Sequence, residues 1–262
     1  MSFTLEAPGY DLSKTIKCGQ VFRYVEHGKG DFVLHSKDHL CRVRQHKDVL
    51  MVDTDDDNDY WIHYFNSSLE PSELERIMSA NRVLKSAYEY SKGIRILQQD
   101  PFECLIEFII SQQKRIPQIK DCLERMCELC GEKLPDGSYA FPKPESIMRS
   151  IAPQFRLGFR EPYVVNAAME VSQGFDLEGF RSGNVSYDAA RLHLMSLHGV
   201  GVKIADCVCL FSLGFNDAFP VDTHIQKVLY LSEMDGFRSS DCGEYAGLVQ
   251  QYIYNWALYN GY

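Results

Sequence analysis

The chain is expected to fold as an α+β protein, mostly α, with an N-terminal antiparallel β-sheet domain packed on a helical core. Residues 21–53 run in short alternating apolar stretches, the period of half-buried strands. From about Pro71 onward the apolar residues recur at helical spacing instead. A length of 262 residues with 45% hydrophobic content is enough for a sizeable core shared between two closely packed domains. The expected division is a β-rich unit over residues 1–70, with room for helical return contacts, and a helical unit over 71–262. No linker separates them cleanly.

Taken in order, Glu26-His27-Gly28-Lys29-Gly30-Asp31 reads as a turn between strands. Asp53-Thr54-Asp55-Asp56-Asp57-Asn58-Asp59 reads as a solvated acidic loop and holds much of the net charge of −9. Asp100 caps a helix begun by Pro101, with Glu103 at the capping-box position and Leu105, Phe108 and Ile109 on the apolar face. The far end of that helix delivers Ser111-Gln112-Gln113. Further helices are predicted over 118–130, 162–172, 187–197, 202–214, 223–233 and 244–259. No internal repeat or low-complexity tract is present.

The chemistry concentrates in Leu197-His198-Gly199-Val200-Gly201-Val202-Lys203-Ile204-Ala205-Asp206 and in Phe219-Pro220-Val221-Asp222-Thr223-His224. Gly199 and Gly201 let the backbone reverse between two helices and approach a ligand closely. The amides of such a turn, with the start of the next helix, attract a phosphate oxygen without any cationic side chain. Lys203 falls in the first turn of that helix, where the dipole opposes an ammonium and favours the amine that can attack carbon. Asp222 is placed to cap the helix that starts at Thr223.

Together the hairpin, the lysine and Pro220-Val221-Asp222 resemble the signature of the helix-hairpin-helix DNA glycosylase superfamily, whose bifunctional members carry the lysine. Three more blocks, in order, are similar to the 8-oxoguanine DNA glycosylases within it: Lys17-Cys18-Gly19-Gln20-Val21-Phe22-Arg23-Tyr24, the helix from Asp100 to Gln113, and Leu157-Gly158-Phe159-Arg160-Glu161-Pro162-Tyr163. The resemblance implies a two-part helical core with a helix-hairpin-helix motif. The implied activity is base-excision repair. The enzyme flips 8-oxoguanine out of duplex DNA, cleaves the glycosidic bond through Lys203, and nicks the strand by β-elimination from a Schiff base.

The resemblance also assigns roles. Asp222 would stabilise positive charge developing on the sugar. The Gly19 carbonyl would accept the N7 hydrogen that distinguishes 8-oxoguanine from guanine, Gln250 would read the Watson–Crick edge, and Tyr254 and Cys207 would press on the two faces of the base. Gln113 would fill the vacated stack, Phe159 would wedge into it, Arg160 and His224 would contact phosphates, and Gly199 and Gly201 would present amides to the backbone. Gln112-Gln113 stands where many members have an asparagine pair and Gln118 where some have arginine, so the preference for the opposite base is open.

No cofactor is expected to be required. The backbone carbonyls of Leu197 and Val200 could bind a structural cation, and only Cys242 lies beyond Asp222, so no iron–sulfur cluster is expected. The nine cysteines are expected as reduced thiols, with no zinc at Cys127-Glu128-Leu129-Cys130. The expected partner is damaged double-stranded DNA, bound by a monomer with a modest salt dependence because the chain is acidic. Lys114, Arg115, Lys120, Arg156 and Arg160 are the cations expected near the duplex. With no signal-peptide pattern at Met1 to Glu6 and no long apolar run, an intracellular location is expected, in a bacterial cytoplasm or nucleoid or a eukaryotic nucleus. Two alternatives stay open: a related glycosylase for another damaged base, and a non-catalytic helix-hairpin-helix DNA-binding module.

Overall fold

The computed structural model describes residues 2–65, 71–149 and 155–262. The domain boundary expected at residues 70 and 71 abuts residues 66–70, which lie outside the described residues. Strands β1 (Ser2–Glu6), β2 (Tyr24–Gly28), β3 (Asp31–Ser36), β4 (His39–His46) and β5 (Val49–Thr54) form one antiparallel sheet in the order β1-β5-β4-β3-β2. Period-two alternation puts Phe32, Leu34, Val43 and Val52 on one face, where all are fully buried. Helices α1 (Leu12–Lys17) and α2 (Asn58–Phe65) supply Leu12, Ile16, Trp61 and Tyr64 to the same core.

Strand pairing starts later than the sequence predicts, at Tyr24, because Val21, Phe22 and Arg23 are buried outside the sheet. The sheet also gains β1, a strand outside the predicted range, whose Phe3 and Leu5 alternate with Ser2, Thr4 and Glu6 and pack half-buried against the sheet core. At the edge of the sheet it pairs only with β5, Phe3 opposite Val52. The acidic stretch is not simply solvated. Asp53 accepts from the Ser2 hydroxyl and pairs with Arg44, while Asp56 accepts the Leu40 amide at 2.8 Å and so ties β4 to the chain leaving β5.

The remaining helices are α3 (Pro71–Met78), α4 (Arg82–Ser91), α5 (Pro101–Ser111), α6 (Ile116–Cys130), α7 (Pro144–Arg149), α8 (Glu161–Ser172), α9 (Tyr187–Met195), α10 (Val202–Phe211), α11 (Thr223–Leu229) and α12 (Ala246–Asn260). Asp100 caps α5 by accepting the amides of Phe102 and Glu103, both at 3.0 Å, with Pro101 in the first turn. Glu103 does not complete a capping box. Its carboxylate turns to Arg23, 3.0 Å away in a pair only 2% and 4% exposed, and accepts the Lys37 amide, so a buried charge pair fastens the sheet domain to α5.

A second fastening is made by amides. Gln20 donates to the Thr15 and Arg95 carbonyls at 3.0 and 2.8 Å and accepts the Leu97 amide at 2.9 Å, while Gln99 donates to the Gln20 carbonyl at 2.7 Å. From α12, Gln251 donates to the Cys18 carbonyl at 2.6 Å. The carbonyls on both sides of Gly19 are thereby held, and the segment is fixed against the last helix. Cys122 and Cys127 are buried on α6, as the helical spacing implied. Among the described residues no helix is long and apolar enough to cross a membrane.

Candidate active site

Between α9 and α10 the chain reverses at Gly199 and Gly201, and the two glycines differ. Gly199 has φ +85°, and a Cβ there would lie 2.2 Å from the Tyr163 ring, so both conformation and packing demand glycine. Gly201 caps α10 with extended backbone (φ −95°, ψ 178°), and a Cβ there would meet nothing within 4 Å. Its missing side chain serves no internal contact; it leaves the amides at the start of α10 open to an approaching anion. The Leu197 carbonyl accepts the Val200 amide at 3.1 Å, which closes the turn.

A cavity of about 680 Å³ opens beside this hairpin. Lys203 and Cys207 enter it one turn apart from α10, Asp222 and His224 from the start of α11, Gln250 and Tyr254 one turn apart from α12, and Gly19 from the sheet domain. Asp222 accepts the Ile225 amide at 2.9 Å, so one carboxylate oxygen caps α11 and fixes the other beside the cavity. His224 is held through Nδ1 by the Tyr262 carbonyl, with its ring edge toward Tyr254 at 5.8 Å. Burial pushes the Cys207 thiol up to about 11, with Lys203 acting in the opposite sense, and holds the Tyr254 phenol well above its usual range. Both therefore stay protonated near neutrality.

Gln250 is only 4% exposed, and its Oε1 is buried with no hydrogen-bond partner among the described residues. A buried acceptor left unpaired costs about 1–3 kcal/mol, which a ligand carrying donors would remove. Gly19 has φ +79°, and a Cβ there would sit 3.1 Å from the Tyr254 ring. Backbone and ring thus meet at one wall of the cavity, formed by residues from the two ends of the chain.

Gln113 also lines the cavity and is itself exposed, in the left-handed region at φ +50°, an uncommon conformation for a side chain with a Cβ. Phe159 is 49% exposed next to Gly158, whose φ is +62°. Arg160 contradicts its expected phosphate contact. It is 6% exposed; Nε and Nη2 donate to the Gln112 carbonyl, Nη1 donates to the Leu157 carbonyl at 3.0 Å, and the Phe159 ring lies 4.2 Å away. The guanidinium is spent inside the protein, where it shapes the turn carrying Gln113. Of the other expected cations, Lys114 and Arg115 line the cavity. Lys120 instead lies over the Tyr24 ring and donates to its carbonyl, and Arg156 lies 3.9 Å from Asp121.

Sequence reasoning missed Gln251, whose side chain positions Gly19, and the aromatic wall formed by Phe22, Phe108 and Phe211. Helical spacing marked Phe108 as part of an apolar face, and spacing cannot distinguish a core face from a cavity wall.

Fold and cavity define a helix-hairpin-helix protein with an amine and a carboxylate in one cavity beside the hairpin. Residues 2–105 match the family described as 8-oxoguanine DNA glycosylase, N-terminal domain. The chain is 32% identical to the solved structure of MBOgg1 in complex with a low-affinity DNA ligand, covering 100% of this chain and 96% of that one at a TM-score of 0.89. It is 28% identical to a Clostridium acetobutylicum 8-oxoguanine glycosylase/lyase in complex with DNA containing cytosine opposite 8-oxoguanine, covering 100% and 99% at a TM-score of 0.88. An N-glycosylase/DNA lyase of Arabidopsis thaliana is 28% identical over 93% of this chain and 76% of its own length. The chain belongs to the 8-oxoguanine DNA glycosylase/lyase family.

Proposed function

We propose that this chain is a base-excision repair enzyme that removes 8-oxoguanine from duplex DNA and then cleaves the strand at the resulting site. The observation that carries the reading is the convergence, in one cavity, of Lys203 and Asp222 with Gly19 and Gln250. A base stacked in a duplex cannot be reached by an amine, so the nucleotide must turn out into the pocket. The Gly19 carbonyl is an acceptor and suits the N7 hydrogen of 8-oxoguanine, whereas guanine presents a lone pair there and is repelled. The unpaired Gln250 Oε1 suits the N1 and N2 hydrogens of the same base.

Attack follows from the same geometry. The Lys203 amine adds to C1′ as the base departs, and Asp222, held by its cap, stabilises positive charge developing on the sugar ring. Opening of the sugar yields a Schiff base, from which loss of a C2′ proton expels the 3′ phosphate. Outside the pocket, the amides at Gly199 and Gly201 hold a phosphate, with the Leu197 and Val200 carbonyls suited to a hard cation. His224 supports the same strand, Phe159 wedges between bases, and Gln113 occupies the space the flipped nucleotide leaves.

Borohydride trapping on a labelled duplex with one 8-oxoguanine tests the reading. Wild type is expected to give a covalent adduct on damaged but not undamaged DNA. Lys203→Gln is expected to bind damaged DNA while giving neither adduct nor released base. Base release by Lys203→Gln would place the nucleophile elsewhere, and release of alkylated purines alone would overturn the roles of Gly19 and Gln250.

A further inference from the structure

Lys203 forms no ion pair within 4.0 Å among the described residues, although Asp222 lines the same cavity. Its Nζ lies instead 4.9 Å from the centroid of the Phe108 ring. That ring is only 3% exposed and is braced from two sides. Phe211 stacks on it at 5.4 Å and 17°, and Phe22 meets it edge-on at 5.8 Å and 71°. The three rings come from α5, from α10 and from the segment that follows Gly19, so the wall is a tertiary construction around one amine.

An aromatic face is electron-rich and attracts a cation within about 6 Å of its centroid. At the start of α10 the helix dipole opposes positive charge, and among the described residues no carboxylate lies within ion-pair distance of Nζ. We propose that Phe108 is a positioning residue for the covalent intermediate, its ring face holding the positive charge that Nζ carries once Lys203 is joined to C1′. This rests on Lys203 being the nucleophile of the proposed function. The Nζ lone pair forms the Nζ–C1′ bond as the C1′–N9 bond breaks, its pair leaving with the base, which takes up a proton. Nζ sheds a proton, the C1′–O4′ bond opens with its pair going to O4′, which is protonated, and the C1′=Nζ bond closes with one positive charge and one hydrogen on Nζ. A planar delocalised cation is less strongly hydrated than an ammonium and packs better against a ring, so the hold of Phe108 strengthens as the reaction proceeds.

The test replaces Phe108 with difluoro- and pentafluorophenylalanine, near-isosteric rings whose faces lose negative character with each fluorine, alongside Phe108→Leu. Single-turnover reactions on the 8-oxoguanine duplex are read twice, for released base and for borohydride-trapped adduct. The ratio of trapped adduct to released base is expected to fall stepwise along the fluorinated series, by about five- to thirtyfold at pentafluorophenylalanine, with Phe108→Leu shifting it the same way. A constant ratio, or adduct and release falling in parallel, would overturn the proposal and leave Phe108 as packing. Absence of base release by the unsubstituted protein would instead overturn the parent reading, and this one with it.

Discussion

Gly19→Ala tests the idea that one backbone position reads the base. The residue adopts φ +79°, and the added Cβ would come within 3.1 Å of the Tyr254 Cε1 and 3.3 Å of its Oη. Holding alanine in the left-handed region costs about 1–2 kcal/mol, which for a chain of this size corresponds to a fall in Tm of roughly 2–8 °C. Relief of the contact moves either the carbonyl or the Tyr254 ring, and each lines the pocket. Losing one buried hydrogen bond there, with its acceptor misaligned, corresponds to roughly ten- to a hundredfold in excision rate. The assay is single-turnover release of 8-oxoguanine alongside thermal unfolding, with Gly28→Ala as control, since a Cβ at Gly28 meets nothing within 4 Å. Combining Gly19→Ala with Tyr254→Ala separates the two costs, because the second change removes the crowding and leaves the φ strain. Wild-type Tm and wild-type excision in Gly19→Ala would refute the placement of this backbone at the cavity wall.

Asp222→Asn retains a good capping side chain, so Tm should hold while excision falls about a hundredfold; a large loss of stability with little loss of rate would make the cap its main role. Arg160→Met should lower stability by about 2–3 kcal/mol and leave the slope of log affinity against log salt unchanged, whereas a slope reduced by about one would put Arg160 on a phosphate after all. Burial, with the neighbouring Glu103 acting in the same sense, raises the Glu107 carboxyl well above its usual range, and its Oε2 has no hydrogen-bond partner among the described residues. The folded state therefore keeps a proton that the unfolded chain releases, so stability is lost as pH rises from the ordinary glutamate value of about 4.3 toward the raised one. Glu107→Gln should accordingly become more stable than wild type as pH increases, and a difference in Tm that stays constant from pH 5 to pH 9 would contradict this.

Local signals were legible in the sequence because they act over a few residues. Capping by Asp100 and Asp222 depends on carboxylates bonding amides of the next turn, the reversal at Gly199 and the start of α10 at Gly201 on glycine backbone, and all were readable from spacing. The limits of the sheet were less so, since β1 is a five-residue alternation that only its pairing with β5, some fifty residues on, makes part of the sheet. Glu103 and Arg160 occupy positions whose local context suggests a capping box and a surface cation, yet each is claimed by a distant partner.

By itself, then, the sequence determined the fold class, the hairpin, and the presence of an amine and a carboxylate at the ends of two helices. Only the tertiary structure decided that Gly19 would face Tyr254, that an unpaired Gln250 oxygen would line the same cavity, that Arg160 would turn inward, and that Phe108 would back the amine. The physical reason is one of range. The Gln251 to Cys18 bond that positions the Gly19 wall joins residues 233 apart, and periodicity over a few turns carries no information about which buried faces meet at that separation.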